Sequence, residues 1–278
     1  MSSHTAKLHR AFEIRDELRD HLAELALAER PIATRNNAAD SSNPFVISEW
    51  MVPEEGWPPF ERAALLLGDV IHNLCAAMDH VVWHATPDRI REAKPRQVAF
   101  PLYDRADKYA KWKRDRQGWY TPEVIKVLDW AQPYTAGKEL LHPLHILQYL
   151  SNTDKHQLLN IVSNSHVDLG ATTVTPEPDG GINLTTHEGV FKPGDILARI
   201  EFKRPIDSSA VDIKPVFAYE QVVRYVDRAV KERWLPVGEA LNEIGPMVVN
   251  TIEAVQVAHE SISSDAGGAT QSVAASTQ

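Results

Sequence analysis

Apolar residues recur with helical spacing in one central segment whose polar face is unusual. At about 100° per residue, one face of residues 65–85 is apolar and the other polar. No Lys, Glu or Arg occurs between Arg62 and Arg89. Since a solvated helix face normally carries such residues, we expect this polar face to be partly buried against another polar segment. The apolar face comprises Leu67, Ile71, Leu74, Met78, Val81, Val82 and Ala85, and the polar face Asp69, His72, Asn73, Ala76, His80 and Trp83.

A second segment, from Glu139 to Ile161, has a polar stripe of similar composition. If the segment is helical throughout, Pro143 falls in the first turn, where a helix tolerates proline. Its polar positions then recur every three or four residues along one face, and a leucine stripe faces the core. We therefore expect the two segments to pack against each other. The polar positions are His142, His145, Tyr149, Asn152 and His156.

The patterns elsewhere predict the fold class. They indicate helices at 4–30, 58–86, 106–116 and 122–131, and further helices at 220–236, 237–244 and 248–259. They also indicate strands at 45–52, 98–100, 198–203 and 211–219. We predict an α+β protein with a single domain over residues 1–262. It is a helical bundle of four or more helices with a small antiparallel β-sheet inserted at about 166–219. Residues 263–278, rich in Ser, Gly, Ala and Thr, are predicted to form a disordered tail.

Composition and charge narrow the classes of function. A net charge of −9 argues against a protein that binds nucleic acid through its phosphates, and the basic run Lys108–Arg116 is interpreted as a solvated helix face. The single Cys75 excludes a disulfide framework and is interpreted as a small core residue. Neither a signal peptide nor an apolar run of about 18 residues is present, so we expect a cytoplasmic protein without a membrane partner. The oligomeric state is left open.

The two polar stripes predict a site between their helices. Histidine exchanges protons near neutral pH, and a neighbouring carboxylate orients its ring. A lysine can hold an anion, so the prediction is a pocket for a small anionic ligand, with hydrolysis of that ligand as the candidate reaction. The alternative is a protein in which these groups only form a hydrogen-bond network that locks the helices together. The proposed catalytic residues are His72, Asp79, His80 and His156, and the proposed ligand-binding residues are Asn73, Asn152, Asp154 and Lys155.

A divalent metal is a second alternative. Asp69 and His72 stand one helical turn apart, as do Glu139 and His142. These pairs are similar to the Glu-x2-His pairs of di-iron helical bundles. A dimetal site needs two further carboxylates, and the sequence does not mark which residues would supply them. The metal is therefore the weaker alternative.

Residues 68–74 with Asp79-His80, together with residues 152–156, resemble a group of uncharacterised bacterial proteins of similar length. That group carries a Gly-Asp-x2-His-Asn-Leu helix, a Gln-Pro-Tyr element that residues 132–134 match, and an Asn-x-Asp-Lys-His segment ahead of a β-rich stretch. The resemblance covers about residues 60–260 and implies no activity. An Arg is common in the group at the position of Cys75, so any role of that Arg is absent here.

A looser likeness is to HEPN-like helical ribonucleases, whose helices carry an Arg followed by four to six residues and a His. Neither His80 nor His156 has an Arg at that spacing. Arg15 and His21 have the required spacing, but a match to so short a motif is expected by chance in a chain with 12 histidines.

Overall fold

The computed structural model describes residues 2–36, 47–137, 141–166, 173–175, 182–187, 189–202, 212–214 and 217–271. Across these residues the chain forms α-helices and small antiparallel β-sheets, which confirms the predicted α+β class with four or more helices. The helices are α1 (Ser3–Leu27), α2 (Glu61–Ala85), α3 (Asp88–Ala93), α4 (Ala106–Asp115), α5 (Pro122–Trp130), α6 (Pro143–Asp154) and α7 (Val237–Gln271). The strands are β1 (Ala33–Asn36), β2 (Ile47–Met51), β3 (Ile161–His166), β4 (Thr173–Thr175), β5 (Ile182–Thr186), β6 (Ile196–Phe202), β7 (Asp212–Lys214), β8 (Ala218–Val226) and β9 (Glu232–Pro236).

The chain divides into two compact units, a division that the sequence did not predict within residues 1–262. The first unit comprises residues 1–19, 64–159 and 224–278. The second comprises residues 20–63 and 160–223, so it contains the predicted β insertion together with β1 and β2.

The first unit is built around the apolar face of α2. Leu67, Ile71, Leu74 and Met78 are almost fully buried, which is the face that the helical spacing predicted. Helix α6 packs against α7, and Val81 of α2 lines a cavity together with residues of α7. By length and composition α2 could cross a membrane, with a mean hydropathy of 1.3, but 56% of that window is buried inside the protein. Such burial is typical of a core helix.

The second unit contains a four-stranded antiparallel sheet in the order β1-β2-β6-β5. Its core cluster includes Trp50, Ala198, Ile200 and Phe202, all buried. Alternate side chains on β6 are therefore buried, as the period-two pattern of residues 198–203 predicted over the described part of that strand. In separate pairings, β3 lies antiparallel to β8, and β4 lies antiparallel to β7.

The predicted helix at 220–236 is wrong. These residues form most of β8 and then β9, joined by a turn in which Asp227 Oδ1 accepts hydrogen bonds from the backbone N–H groups of Ala229 and Lys231, both at 2.9 Å. Valines at 222, 226 and 230 are four residues apart, a spacing that suits one face of a helix and equally one face of a strand. The β-branched side chains favour the strand.

Helix ends also differ from the prediction. Helix α6 starts at Pro143 because the His142 side chain caps it, Nδ1 accepting from the backbone N–H of Leu144 at 3.2 Å. It ends at Asp154, well before Ile161. Residues 98–100 form no strand in the described chain. Helix α7 continues through Pro246, where a break was predicted, and runs to Gln271. Residues 263–271 are therefore helical where a disordered tail was predicted, and residues 272–278 lie outside the described residues.

Candidate functional site

The two motif helices, α2 and α6, meet at Gly68. A Cβ built on Gly68 would stand 2.4 Å from Asp154 Oδ1 and 2.9 Å from Asp154 Cγ, so a side chain at position 68 would force the Asp154 carboxyl to move. Burial raises the pKa of the Asp154 carboxyl, the charge of Asp69 acts in the same direction, and His72 opposes both. The two motifs singled out by the sequence therefore lie in contact.

A polar cavity of about 210 Å³ lies between α2, residues 99–102 and α6. We call it the Asp79 cavity. Three of the predicted site residues line it: Asp79 from α2, Asn152 from α6, and Lys155 from the end of α6. Its other polar lining groups are Cys75, Gln148 and Ser151.

Asp79 is the largely buried acid of this cavity. Its Oδ1 accepts a hydrogen bond from the backbone N–H of Phe100 at 2.8 Å. Burial raises the pKa of the Asp79 carboxyl, against the opposing effects of that hydrogen bond and of the charges on His80, Lys155 and His72. A carboxyl with a raised pKa holds or releases its proton closer to neutral pH than an exposed aspartate does.

The Cys75 thiol and the Lys155 ammonium of the cavity differ in their exposure to solvent. Burial raises the pKa of Cys75 to about 11, with a hydrogen bond to Ser151 acting the other way. A thiol with this pKa is protonated near neutral pH, which disfavours it as a nucleophile. Lys155 and Asn152 are exposed, so their polar groups stand where a ligand would enter.

Gln148 and Ser151 line the cavity but are not among the predicted site residues. Gln148 Nε2 donates to the carbonyl oxygen of Leu102 at 2.8 Å, which joins α6 to the wall of the cavity. The signal was present, because residues 148, 151, 152 and 155 follow the spacing of one helix face. The predicted polar stripe follows the neighbouring helix face and shares Asn152 with this one.

Five of the predicted site residues do not line the Asp79 cavity, and Asp154, which lies against Gly68, is one of them. His72 is exposed, and His156 is exposed in a turn after α6, where its backbone N–H donates to Thr153 at 3.0 Å. Asn73 is buried against α1: its Oδ1 accepts from Lys7 Nζ at 3.3 Å, and its Nδ2 donates to the carbonyl oxygen of Asp69. His80 is partly buried, and its charge lowers the pKa of His4, after burial and His84.

The predicted metal ligands are not grouped in the described part of the chain. There, no set of three or more His, Cys, Asp and Glu side chains is arranged to hold an ion. His142 uses Nδ1 to cap α6, and its pKa is lowered by burial, then by His145 and Arg228. Asp69 is exposed, and Glu139 lies outside the described residues.

Comparison with known proteins identifies no family for this chain. No family model, curated protein or solved structure matches the chain. The buried carboxyl, the lysine and the cavity that they share are therefore the features from which a function is inferred.

Proposed function

We propose that the protein binds a small ligand with an anionic group in the Asp79 cavity. One observation carries this proposal: the Lys155 ammonium and the Asn152 amide line the same cavity as a largely buried carboxyl. Both can donate hydrogen bonds to a carboxylate or phosphate oxygen, and the bond from the ammonium is charge-assisted. The volume of about 210 Å³ is below the range of about 300–1,000 Å³ that holds drug-sized molecules, so the ligand is small.

Hydrolysis is the reaction that this site would support. Asp79, ionised, would take a proton from a water molecule as the water oxygen attacks an acyl or phosphoryl centre. Lys155 would stabilise the negative charge that develops on the ligand oxygen, and the leaving group would depart with a proton returned from the Asp79 carboxyl. Binding is the first requirement, and the test addresses it separately.

The test is an NMR titration of the ¹⁵N-labelled full chain with inorganic phosphate and, separately, with succinate. The expected result is a saturable shift of the backbone amides of Phe100 and Asn152 by at least one probe. Lys155→Met should weaken that binding roughly tenfold, the loss of one charge-assisted hydrogen bond. Lys126→Met is the matched control, because Lys126 is exposed on α5 and does not line the cavity.

Two outcomes contradict the proposal. In one, neither probe shifts the cavity amides at up to about 10 mM, beyond which a single-site interaction is too weak to matter. In the other, Lys155→Met and Lys126→Met bind the probe equally well, which would place the anion elsewhere.

The structural alternative is favoured by a different observation. Gly68, Asn73 and Asp154 make contacts within the protein rather than with the Asp79 cavity. If helix locking is the function of the motifs, Asn73→Ala lowers the free energy of unfolding by roughly 1–3 kcal/mol, because Lys7 and the Asp69 carbonyl lose a partner. Under that alternative Lys155→Met leaves both the stability and the probe spectra unchanged.

A further inference from the structure

Arg30, in the second unit, is a partly buried cation surrounded by aromatic rings. Its Cζ lies 4.6 Å from the ring centre of Tyr219, 4.8 Å from that of Trp57 and 5.2 Å from that of Phe60. All three distances fall within the roughly 6 Å of a cation–π contact. We call these three rings the aromatic cage. Nη1 of Arg30 also donates to Ser163 Oγ at 2.5 Å.

Local structure holds the aromatic cage in place. Trp57 follows a turn in which Gly56 adopts a φ of 74° and donates its N–H to the Pro53 carbonyl at 2.8 Å. Trp57 Nε1 donates to the carbonyl oxygen of Pro31 at 2.9 Å, which ties the ring to the residue after Arg30. The Trp57 and Tyr219 rings meet edge to face, with centres 4.9 Å apart. The cage is therefore formed before any ligand arrives.

A cavity of about 360 Å³ opens beside this arrangement. Arg30, Trp57 and Phe60 all line it, and Leu25 with the prolines at 31, 58 and 59 makes its wall mainly apolar. Its volume lies within the range of about 300–1,000 Å³ for small-molecule sites.

The charge of Arg30 is not balanced by an acid in the described part of the chain. Burial lowers the pKa of its guanidinium, and the group that opposes this effect is the Tyr219 phenol, which has a pKa raised to about 12 and is therefore neutral near neutral pH. Glu29 and Glu61 line the cavity but are exposed, and neither forms an ion pair with Arg30 among the described contacts. Ser163 and the three rings are neutral partners, and a partly buried charge without a counter-charge is costly. A guanidinium offers five donors in a fork that matches a carboxylate.

We propose that the Arg30 cavity binds a small organic anion with a flat hydrophobic body, of the class of aromatic carboxylates. The carboxylate pairs with Arg30, and the body lies along Trp57 and Phe60. This site is distinct from the Asp79 cavity, and each can exist without the other. An inorganic anion lacks the apolar body, and a neutral aromatic molecule lacks the charge, so both bind more weakly.

The test is isothermal titration of the full chain with indole-3-acetate. Inorganic phosphate and neutral indole are the two matched ligand controls. We expect saturable binding of indole-3-acetate, and Arg30→Met should weaken it roughly 10- to 100-fold, as expected for the loss of a charge-assisted pair. Arg30→Lys should give an intermediate affinity, because a point charge replaces the planar fork. Arg89→Met, which changes an exposed arginine of α3, should leave the affinity unchanged.

A second variant keeps the test decisive if Arg30→Met does not fold, as circular dichroism would show. Phe60→Leu removes one ring and keeps an apolar side chain, and it should weaken indole-3-acetate more than it weakens phosphate. The proposal is overturned if indole-3-acetate fails to bind at up to about 10 mM. It is also overturned if Arg30→Met binds it as well as the native chain, if neutral indole binds as tightly, or if phosphate binds as tightly at a site that Arg30→Met weakens.

Discussion

Replacing Gly68 by Ala tests the contact between α2 and α6 on which the Asp79 cavity depends. In a helix interior, Gly→Ala normally stabilises by roughly 0.5–1 kcal/mol, because alanine loses less backbone entropy on folding. Here the new Cβ would stand 2.4 Å from Asp154 Oδ1, far inside the ordinary contact distance. Overpacking costs roughly 1–3 kcal/mol, so the net expectation is a loss of about 1 kcal/mol.

The assay is urea unfolding followed by far-UV circular dichroism, with the free energy of unfolding compared between variants. Gly238→Ala is the control, since nothing lies within 4 Å of the Cβ built there, and it should not destabilise the protein. Asp154→Ala supplies the partner change: in that background the clash is gone and Gly68→Ala should become neutral or stabilising. The two changes should therefore couple by roughly 1–2 kcal/mol in a double-mutant cycle.

The reasoning is refuted if Gly68→Ala stabilises the native chain as an ordinary helix substitution would. It is equally refuted if the coupling with Asp154→Ala is zero. In either case the Asp154 carboxyl would not be held against Gly68 as described.

Three further predictions follow from the titrating groups. Cys75, with a pKa of about 11, should react with iodoacetamide at pH 8 at least about tenfold more slowly in the folded protein than in urea, and equal rates would contradict its burial. Burial raises the pKa of Asp79 in the folded state. From about pH 4 up to that raised pKa the folded state therefore binds more protons than the unfolded state, and the free energy of unfolding falls as the pH rises through this window. Asp79→Asn should therefore raise the free energy of unfolding more at pH 7 than at pH 4, whereas an equal change at both pH values would show that burial does not dominate. The pKa of His4 is lowered by burial, His84 and His80. Below about pH 6.5 the folded state therefore binds fewer protons than the unfolded state, and the free energy of unfolding falls as the pH falls. His4→Asn should lessen the loss between pH 7 and pH 5 in urea unfolding, and an unchanged slope would count against that assignment.

Periodicity located the central helix and its buried face but not the neighbours of each polar residue. The apolar positions of α2 are buried as the spacing indicated. Its polar residues cover a wide arc, so Asn73 contacts Lys7 on α1 while Asp79 points to the cavity shared with α6. Which partner lies opposite a given polar residue is decided by tertiary packing, which spacing along one helix does not encode.

Two other parts of the structure had signals that sequence reasoning could not resolve. The valines of residues 222–230 suit a helix face and a strand face equally, and the pairing of β8 with β3 and β9 decides between them. The cage around Arg30 had a local signal in Trp57 and Phe60, beside two prolines. Its third ring, Tyr219, is distant along the chain, so no local pattern could predict that these rings surround one arginine.

The composition of α2 has a consequence for synthesis of the protein. Helix α1 precedes α2, but two helices that help to cover α2 follow it in the chain, with α6 beginning at Pro143 and α7 at Val237. At about 5–20 residues per second, a ribosome needs on the order of ten seconds to travel from the end of α2 to the start of α7. Throughout that interval α2, which has a mean hydropathy of 1.3, lacks the part of its covering that α7 provides. The yield of folded protein would therefore depend on chaperones that shield apolar segments at the ribosome exit. Translation halted before Val237 would release an aggregation-prone product.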